Sequence, residues 1–225
     1  RTARPGYDNL CQVGKQEIMA TKSATGEPSQ GRLFYSYKAF MVKHHGGALH
    51  RVPVDLGFGC PNRDADGGGG CAFCDADGSR ARQTVEVASV GDQVRQAIRF
   101  AQQRYRATRF MAYIQAFTGT FAPVAEQREA YRSVLAAHVF DALSIGTRPD
   151  CLPPATLDLL ASLNEELATW VELGVQTMHD STLARINRGH DWAASVRAIR
   201  ELKRRGLRVA PHIIVGLPGE DHYMV

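Results

Sequence analysis

Residues 52–78 read VPVDLGFGCPNRDADGGGGCAFCDADG. Apolar side chains alternate through the first part of this stretch, at Val52, Val54, Leu56 and Phe58. Such alternation predicts a strand, and the glycines that follow predict a loop. Three of the chain's five cysteines lie on that loop: Cys60, Cys71 and Cys74. Thiols gathered on a loop behind a strand indicate a metal or iron–sulfur site rather than core packing.

The composition is that of a globular protein. The chain has 225 residues, with 44% hydrophobic and 22% charged side chains, which is enough for one sizeable core. No apolar run approaches the ~18 residues that cross a bilayer, and the basic amino terminus lacks the apolar segment of a secretory signal. An odd number of cysteines, three of them crowded on one loop, fits a reduced compartment, so we expect a cytoplasmic protein with no membrane partner. The net charge of +4 permits an RNA partner but does not argue for one.

Two regions differ in character along the chain. Residues 1–30 are polar and lack periodicity, which predicts a disordered or mobile extension. Cys11, in that extension, is interpreted as a spare thiol. Residues 31–225 carry the periodic patterns and are interpreted as one domain, starting with an aromatic and basic segment that predicts a short helix before the first strand.

Strand and helix patterns alternate five times. Ser89 and Asp191 are expected N-caps, and Pro153 with Pro154 is expected to open a further helix. This alternation predicts an α/β fold with a parallel sheet and right-handed crossovers. The chain stops at Val225, soon after the fifth strand, so a further strand–helix unit is expected to close the sheet.

Cysteines, polar residues and glycines follow the predicted strands at their carboxyl ends. They are the cysteine loop after strand one, Gln115 and Thr118 after strand two, Thr147 and Arg148 after strand three, Gln176 and His179 after strand four, and Gly216 to Glu220 after strand five. Because parallel strands place their carboxyl ends at one edge of a sheet, we expect these residues to surround one active site.

Three kinds of centre compete for the cysteine loop. A structural zinc ion needs four closed ligands, and no histidine lies between Cys60 and His138 to supply the fourth. Asp64, Asp66 and Asp75 match three positions of a calcium loop, but a glycine occupies another ligand position and a strand, not a helix, precedes the loop. A 4Fe–4S cluster on three cysteines leaves one iron free for a cofactor.

Seven motifs carry a resemblance to a known family. They are GFGCPNRD, GGCAFC, IQAFTGTF, IGTRPDC, ELGVQTMHD, INRGHD and HIIVGLPGE. Together they resemble the radical S-adenosylmethionine (SAM) enzymes, in particular the YhcC-like branch that is related to the radical SAM domain of the Elongator catalytic subunit. The resemblance covers residues 33–220. Ten residues separate Cys60 from Cys71, where the family commonly has three.

The resemblance implies a partial (β/α)6 barrel with parallel strands, truncated here after the fifth strand. It also implies a 4Fe–4S cluster, held by Cys60, Cys71 and Cys74, that reductively cleaves SAM. The resulting 5′-deoxyadenosyl radical would abstract hydrogen from an unknown substrate, with tRNA as the leading candidate by analogy. An electron donor such as flavodoxin or ferredoxin would supply the electron.

The resemblance further implies a set of SAM contacts: Phe73, Gln115, Thr118, Arg148, Gln176 and Gly216. Residues 115–118 stand where the family usually has Gly-Gly-Glu. The long insert, Pro61 to Gly70, either shields the cluster or touches a substrate through Asn62, Arg63 and Asp64. Cys151 and the histidines at 179, 190 and 212 are interpreted as packing residues, and no catalytic residue is assigned. The rival interpretation is a non-catalytic interaction module that binds zinc or an iron–sulfur cluster.

Overall fold

A computed structural model describes residues 34–64, 66–81 and 89–224. The strands are β1 (His50–Val54), β2 (Phe110–Ile114), β3 (Ala142–Thr147), β4 (Thr169–Gln176) and β5 (Arg208–Ile213). All neighbouring strands pair in parallel, in the order β1-β2-β3-β4-β5. The predicted α/β fold with a parallel sheet is confirmed. The predicted extension at residues 1–30 lies outside the described residues.

Six helices are described in these ranges, and their bounds follow the expected cap signals. They are α1 (Tyr37–His45), α2 (Val90–Tyr105), α3 (Val124–Ala136), α4 (Pro154–Glu166), α5 (Asp180–Arg185) and α6 (Trp192–Arg204). The Ser89 hydroxyl accepts from Asp92 N at the start of α2, and the Asp191 carboxylate accepts from Ala194 N at the start of α6. Pro153 and Pro154 open α4 as predicted. None of the described helices is long and apolar enough to span a bilayer.

Unlike a doubly wound fold, the sheet is wound in one direction only. Because successive strands are neighbours and right-handed crossovers all turn the same way, the crossover helices fall on one face. One hydrophobic core accordingly joins α2, α3, α4 and α6 to alternate strand residues such as Val52, Ala112, Leu143 and Val171. The opposite face is therefore left as the inner face of an incomplete barrel.

The inner face is closed at its amino-terminal end by α1. Met41 of α1 and Leu49 pack on Met111 and Ala142, with Trp170 beside them. This small second core seals one end of the barrel interior, so the interior opens at the carboxyl ends of the strands.

The first strand differs from its prediction. It starts two residues earlier, at His50, and ends at Val54, so Leu56 and Phe58 lie on the following loop. The side chain of Gln93 accepts from Asp55 N at 2.8 Å and donates to Asp55 O at 3.1 Å. This side chain from α2 takes the backbone groups that a longer strand would have paired, which ends β1 and releases the chain into the cysteine loop.

Candidate functional site

A polar band crosses the inner face of the sheet, with one residue from each strand. Its members are Arg51, Tyr113, Ser144, Glu172 and His212. These positions alternate with the residues of the helix-covered core, so their side chains point to the barrel interior. The inner positions paired with Glu172 and His212 are Gly146 and Gly174. At Gly174 a Cβ would meet Arg188 Nη2 and Gln176 Nε2, so the absence of a side chain lets these two polar groups approach the sheet beside His212.

Glu172 is the centre of this band. Its side chain is 5% exposed and accepts from Arg51 Nη2 at 2.7 Å and from Ser144 Oγ at 2.9 Å. His212 Nε2 lies 3.1 Å from the other carboxylate oxygen. Burial alone would raise the pKa of Glu172, but His212, Arg51 and Ser144 together hold it below its usual value. The carboxylate is therefore charged at neutral pH.

Above this band lies a cavity of about 290 Å³. All three clustered cysteines line it, together with residues that follow β2, β3 and β4. Cys71 is buried, whereas Cys60 and Cys74 are partly exposed. The carboxyl ends of four strands thus meet around one space. The predicted segment after the fifth strand, Gly216 to Glu220, and His179 after the fourth are not among the lining residues.

Four nitrogen donors surround the cysteine sulfurs. Cys71 Sγ receives Asn62 Nδ2 and Arg188 Nη1, each at 3.4 Å, and Arg148 Nη1 at 3.9 Å. Arg63 Nη2 lies 3.4 Å from Cys74 Sγ. The hydrogen bond and the charge of Cys74 raise the pKa of Arg63. Because the thiolate is the form that binds metal, cationic donors at the sulfurs favour ligation.

A single metal ion and an iron–sulfur cluster place different demands on their ligands. Within residues 34–64, 66–81 and 89–224, no three His, Cys, Asp or Glu side chains converge to hold one metal ion. A zinc ion requires such convergence, whereas a 4Fe–4S cluster binds each thiolate at a separate iron and needs only a shared cavity. In the calcium-like pattern, Asp75 Oδ1 accepts from Ser79 N at 2.8 Å.

The cysteine loop is fixed to the end of β2 through Phe117. Gly78 has φ +60°, and a Cβ at this position would overlap the Phe117 ring. Phe117 N donates to Gly78 O at 2.8 Å, and the Arg63 guanidinium lies 5.5 Å from the ring centroid. Ala116 and Phe117 both have positive φ, which non-glycine residues seldom adopt. The loop and the strand end therefore hold each other in one conformation.

Five of the six predicted SAM contacts line the cavity with the cysteines: Phe73, Gln115, Thr118, Arg148 and Gln176. Gly216 is not among the lining residues. Their role as SAM contacts stays a prediction. Thr118 is fully buried, and its Oγ1 makes no hydrogen bond within the part of the chain that the structure describes. A bound ligand with a polar group would satisfy it.

Arg148 differs from an ordinary arginine at a strand end, which is usually solvated. It is 3% exposed and donates to both carboxylate oxygens of Asp150 and to Arg188 O. Asp150 thus balances its charge, and one of its nitrogens still faces Cys71.

Several polar and charged residues outside the predicted set of contacts also line the cavity, among them Arg63, Tyr113, Glu172, Arg188 and His212. Arg63 lies in the insert, and its position beside Cys74 supports a shielding role for that segment. Arg188 belongs to the INRGHD motif, but no local pattern shows that it reaches Cys71. For Glu172, the available signal in the sequence was a charged residue within an otherwise apolar strand, since a buried charge needs partners.

A family model described as the Radical SAM superfamily matches residues 54–223. Protein YhcC of Escherichia coli is 42% identical over 80% of the chain and 58% of the relative. A tRNA uridine(34) acetyltransferase of Methanocaldococcus jannaschii is 39% identical over 40% of the chain and 16% of the relative. The solved structure of Elp3 from Methanocaldococcus infernus superimposes with a TM-score of 0.52 and 26% identity, over 60% of this chain and 36% of that one.

Proposed function

The chain belongs to the radical SAM superfamily, and we propose that it is an enzyme whose cavity holds a 4Fe–4S cluster and SAM. Cys60, Cys71 and Cys74 are the proposed cluster ligands. Such a cluster supplies one electron to bound SAM, which yields the 5′-deoxyadenosyl radical that abstracts a substrate hydrogen. The chain spans 58% of the length of its relative YhcC, so the activity of the whole protein is part of this proposal.

One observation carries the proposal. Three thiols line a single cavity at the carboxyl ends of parallel strands, and arginine nitrogens approach two of their sulfurs. Three cysteines leave one iron of a 4Fe–4S cluster without a protein ligand, which is the position that SAM needs. A closed structural site would instead need a fourth protein ligand.

The remaining lining residues have distinct proposed roles. Thr118 Oγ1 and the amides of Gln115 and Gln176 are the polar groups that would orient SAM, and Phe73 supplies an aromatic surface. Arg188 is 6% exposed and donates to Gly174 O at 2.6 Å as well as to Cys71. Its buried charge would favour the thiolate and an anionic group of SAM, and burial of this wall excludes water.

The proposed substrate class is RNA, with tRNA as the leading candidate. This proposal draws on the similarity to a tRNA uridine(34) acetyltransferase, which covers only part of both chains. A low-potential electron carrier such as flavodoxin or ferredoxin is the proposed reductant, and the cytoplasm is the proposed location.

Anaerobic reconstitution with iron and sulfide tests the proposed chemistry. The wild-type chain should bind about four iron and four sulfide per chain, show the absorbance and EPR signal of a 4Fe–4S cluster, and release 5′-deoxyadenosine from SAM under reducing conditions. Cys71→Ala should abolish the cluster and the release of 5′-deoxyadenosine. A colourless protein with one zinc and no sulfide would instead establish the rival interaction module.

Cys151→Ala is the matched control. Cys151 is also a buried thiol, but it lines a separate cavity between the loops that follow β2 and β3. Iron, sulfide and 5′-deoxyadenosine should match the wild-type values in this variant and in Cys11→Ala. A loss of the cluster in either control would overturn the ligand assignment.

A further inference from the structure

A surface of rings and cations lies at the edge of the sheet opposite the cysteine cavity. We call it the aromatic–basic surface, and its residues are Lys38, His50, Phe100, Arg104, Tyr105 and Arg106. His50 starts β1, and Tyr105 ends α2. Because the cysteine loop follows the other end of β1, the two sites are separated by a strand of roughly 15 Å.

Three rings form a row on this surface. The His50 and Tyr105 rings stack with their centroids 5.4 Å apart, and the Phe100 and Tyr105 centroids are 6.0 Å apart. The side chains of Phe100 and Tyr105 are 50% and 55% exposed. Neighbouring exposed rings, unlike a single exposed apolar residue, indicate a binding surface.

Uncompensated cations accompany the rings. Arg104, Tyr105 and Arg106 are all exposed, and the Arg104 guanidinium lies 5.4 Å from the Tyr105 centroid. Lys38 of α1 lies close enough that its charge, after burial, lowers the pKa of His50. The neutral imidazole can therefore remain stacked on Tyr105 near neutral pH.

Carboxylates are missing from the segments that build this surface. Residues 34–54 and 93–125 contain no Asp or Glu at all. Among the ion pairs of the described residues, none involves Lys38, Arg104 or Arg106, whereas the nearby Arg109 is paired with Asp141. The two segments that build this surface thus carry cations and no acidic residue, although the net charge of the whole chain is only +4.

We propose that the aromatic–basic surface binds single-stranded nucleic acid. Exposed rings offer faces on which unpaired bases stack, and the three cations complement phosphates along the same strand. Ring faces favour a single strand over a duplex, because paired bases are not free to stack on protein. Within residues 34–54 and 93–106, the exposed large hydrophobic residues are all aromatic and none is aliphatic, which favours nucleic acid over a lipid surface. This inference does not depend on the proposed radical chemistry.

Fluorescence anisotropy with a labelled oligouridylate of about 16 nucleotides, an upper site size for one such module, tests the proposal on the whole chain without cluster or SAM. We expect salt-dependent binding. Phe100→Ala and Tyr105→Ala should each weaken binding about tenfold, the loss typical of one stacked base. Arg104→Ala and Arg106→Ala should each lower the slope of log affinity against log salt by about 0.7, as for one lost phosphate contact.

Two exposed residues elsewhere serve as matched controls. Tyr223→Ala removes an exposed ring beyond β5, and Arg132→Ala removes an exposed cation that is paired with Glu166. Neither should alter the affinity or the salt slope, and circular dichroism should show that all variants are folded. The proposal would be overturned if the control variants lost as much affinity for the oligouridylate as the surface variants. Binding of duplex RNA as tight as that of the oligouridylate, or tighter binding to phosphatidylserine vesicles, would also overturn it.

Discussion

At the scale of single residues, cationic side chains supply the positive charge that stabilises cysteine thiolates. A thiol must lose its proton to bind iron, and a bare thiolate in a partly buried cavity is unfavourable. Arg63 and Arg188 place guanidinium nitrogens 3.4 Å from two of the sulfurs. Arg63 also donates to Ala76 O and Asp75 O, so the same side chain fixes the loop that carries Cys74.

Cys151 provides a contrast and a prediction. It is buried, and burial raises the pKa of its thiol to about 12. Only about 10⁻⁴ of the thiol is then ionised at pH 8, and the thiolate is the reactive form. Iodoacetamide should therefore label Cys151 in the native protein about two to three orders of magnitude more slowly than in guanidinium chloride. Peptide mass spectrometry measures both rates.

The partly exposed Cys74 is the internal reference for that experiment. In the native protein without a cluster, it should be labelled before Cys151. Equal rates for Cys151 in the native and the unfolded protein would show that the thiol is accessible, contrary to its burial.

At the scale of elements, side chains from neighbouring segments set the boundaries of the strands and helices around the site. Gln93 of α2 ends β1, and Phe117 after β2 anchors the cysteine loop at Gly78. Two carboxylates accept hydrogen bonds from backbone N–H groups in the first turn of α6. Asp180 Oδ1 accepts from Trp192 N and Asp191 Oδ1 accepts from Ala194 N, each at 2.7 Å. The loop that carries Arg188 leads into α6. The conformation of this loop therefore depends on how the first turn of α6 is capped.

The N-cap of α6 should contribute measurably to stability. Asp191→Ala removes the acceptor for a backbone N–H that has no partner within the helix, so we expect a loss of about 1 kcal/mol in the free energy of unfolding. Urea denaturation followed by circular dichroism measures this loss. Asp158→Ala is the control, because it also removes an exposed aspartate, but one whose carboxylate forms a surface ion pair with Arg205. An equal loss in both variants would contradict a specific capping role.

At the scale of the whole molecule, the singly wound sheet separates two kinds of surface. Cysteines, arginines and glycines meet at its carboxyl edge, whereas exposed rings and cations meet at its amino edge. Between the two edges, Glu172 links side chains of β1, β3, β4 and β5 through Arg51, Ser144 and His212. A buried carboxylate in this position ties the strands together across the inner face.

Glu172→Gln should therefore lower stability in a pH-dependent way. We expect a loss of about 2 kcal/mol at pH 7, typical of a hydrogen bond to a charged group. The pKa of Glu172 is lowered in the folded protein, so its contribution is present above the ordinary glutamate value of 4.5 and is lost as pH falls through the folded value. The difference in unfolding free energy between wild type and variant should narrow below about pH 4.5.

Urea denaturation at a series of pH values measures this difference. Glu166→Gln is the matched control, since Glu166 pairs with Arg132 at an exposed position and its loss should change stability little. A Glu172→Gln difference that stayed constant down to pH 4 would mean that the carboxylate is not the stabilising group.

The sequence by itself determined the alternation of strands and helices, the caps at Ser89 and Asp191, and the cysteine loop at the end of a strand. These features are local, because hydrophobic period, cap chemistry and proline geometry act over a few neighbouring residues. The sequence also predicted that the carboxyl ends of the strands lie close together, since parallel strands share their carboxyl edge. The sequence did not predict that β1 ends at Val54, because the Gln93 side chain that ends the strand belongs to another element, α2.

Only the tertiary structure decided which side chains surround the sulfurs and how the surface charges are divided. Asn62 donates to Asn187 O and Arg188 to Cys71, contacts between residues more than one hundred positions apart. Such contacts depend on strand register and loop closure, which no local pattern encodes. The row of His50, Phe100 and Tyr105 arises in the same way, because packing of α2 on β1 brings together two acid-free segments that are distant in the sequence.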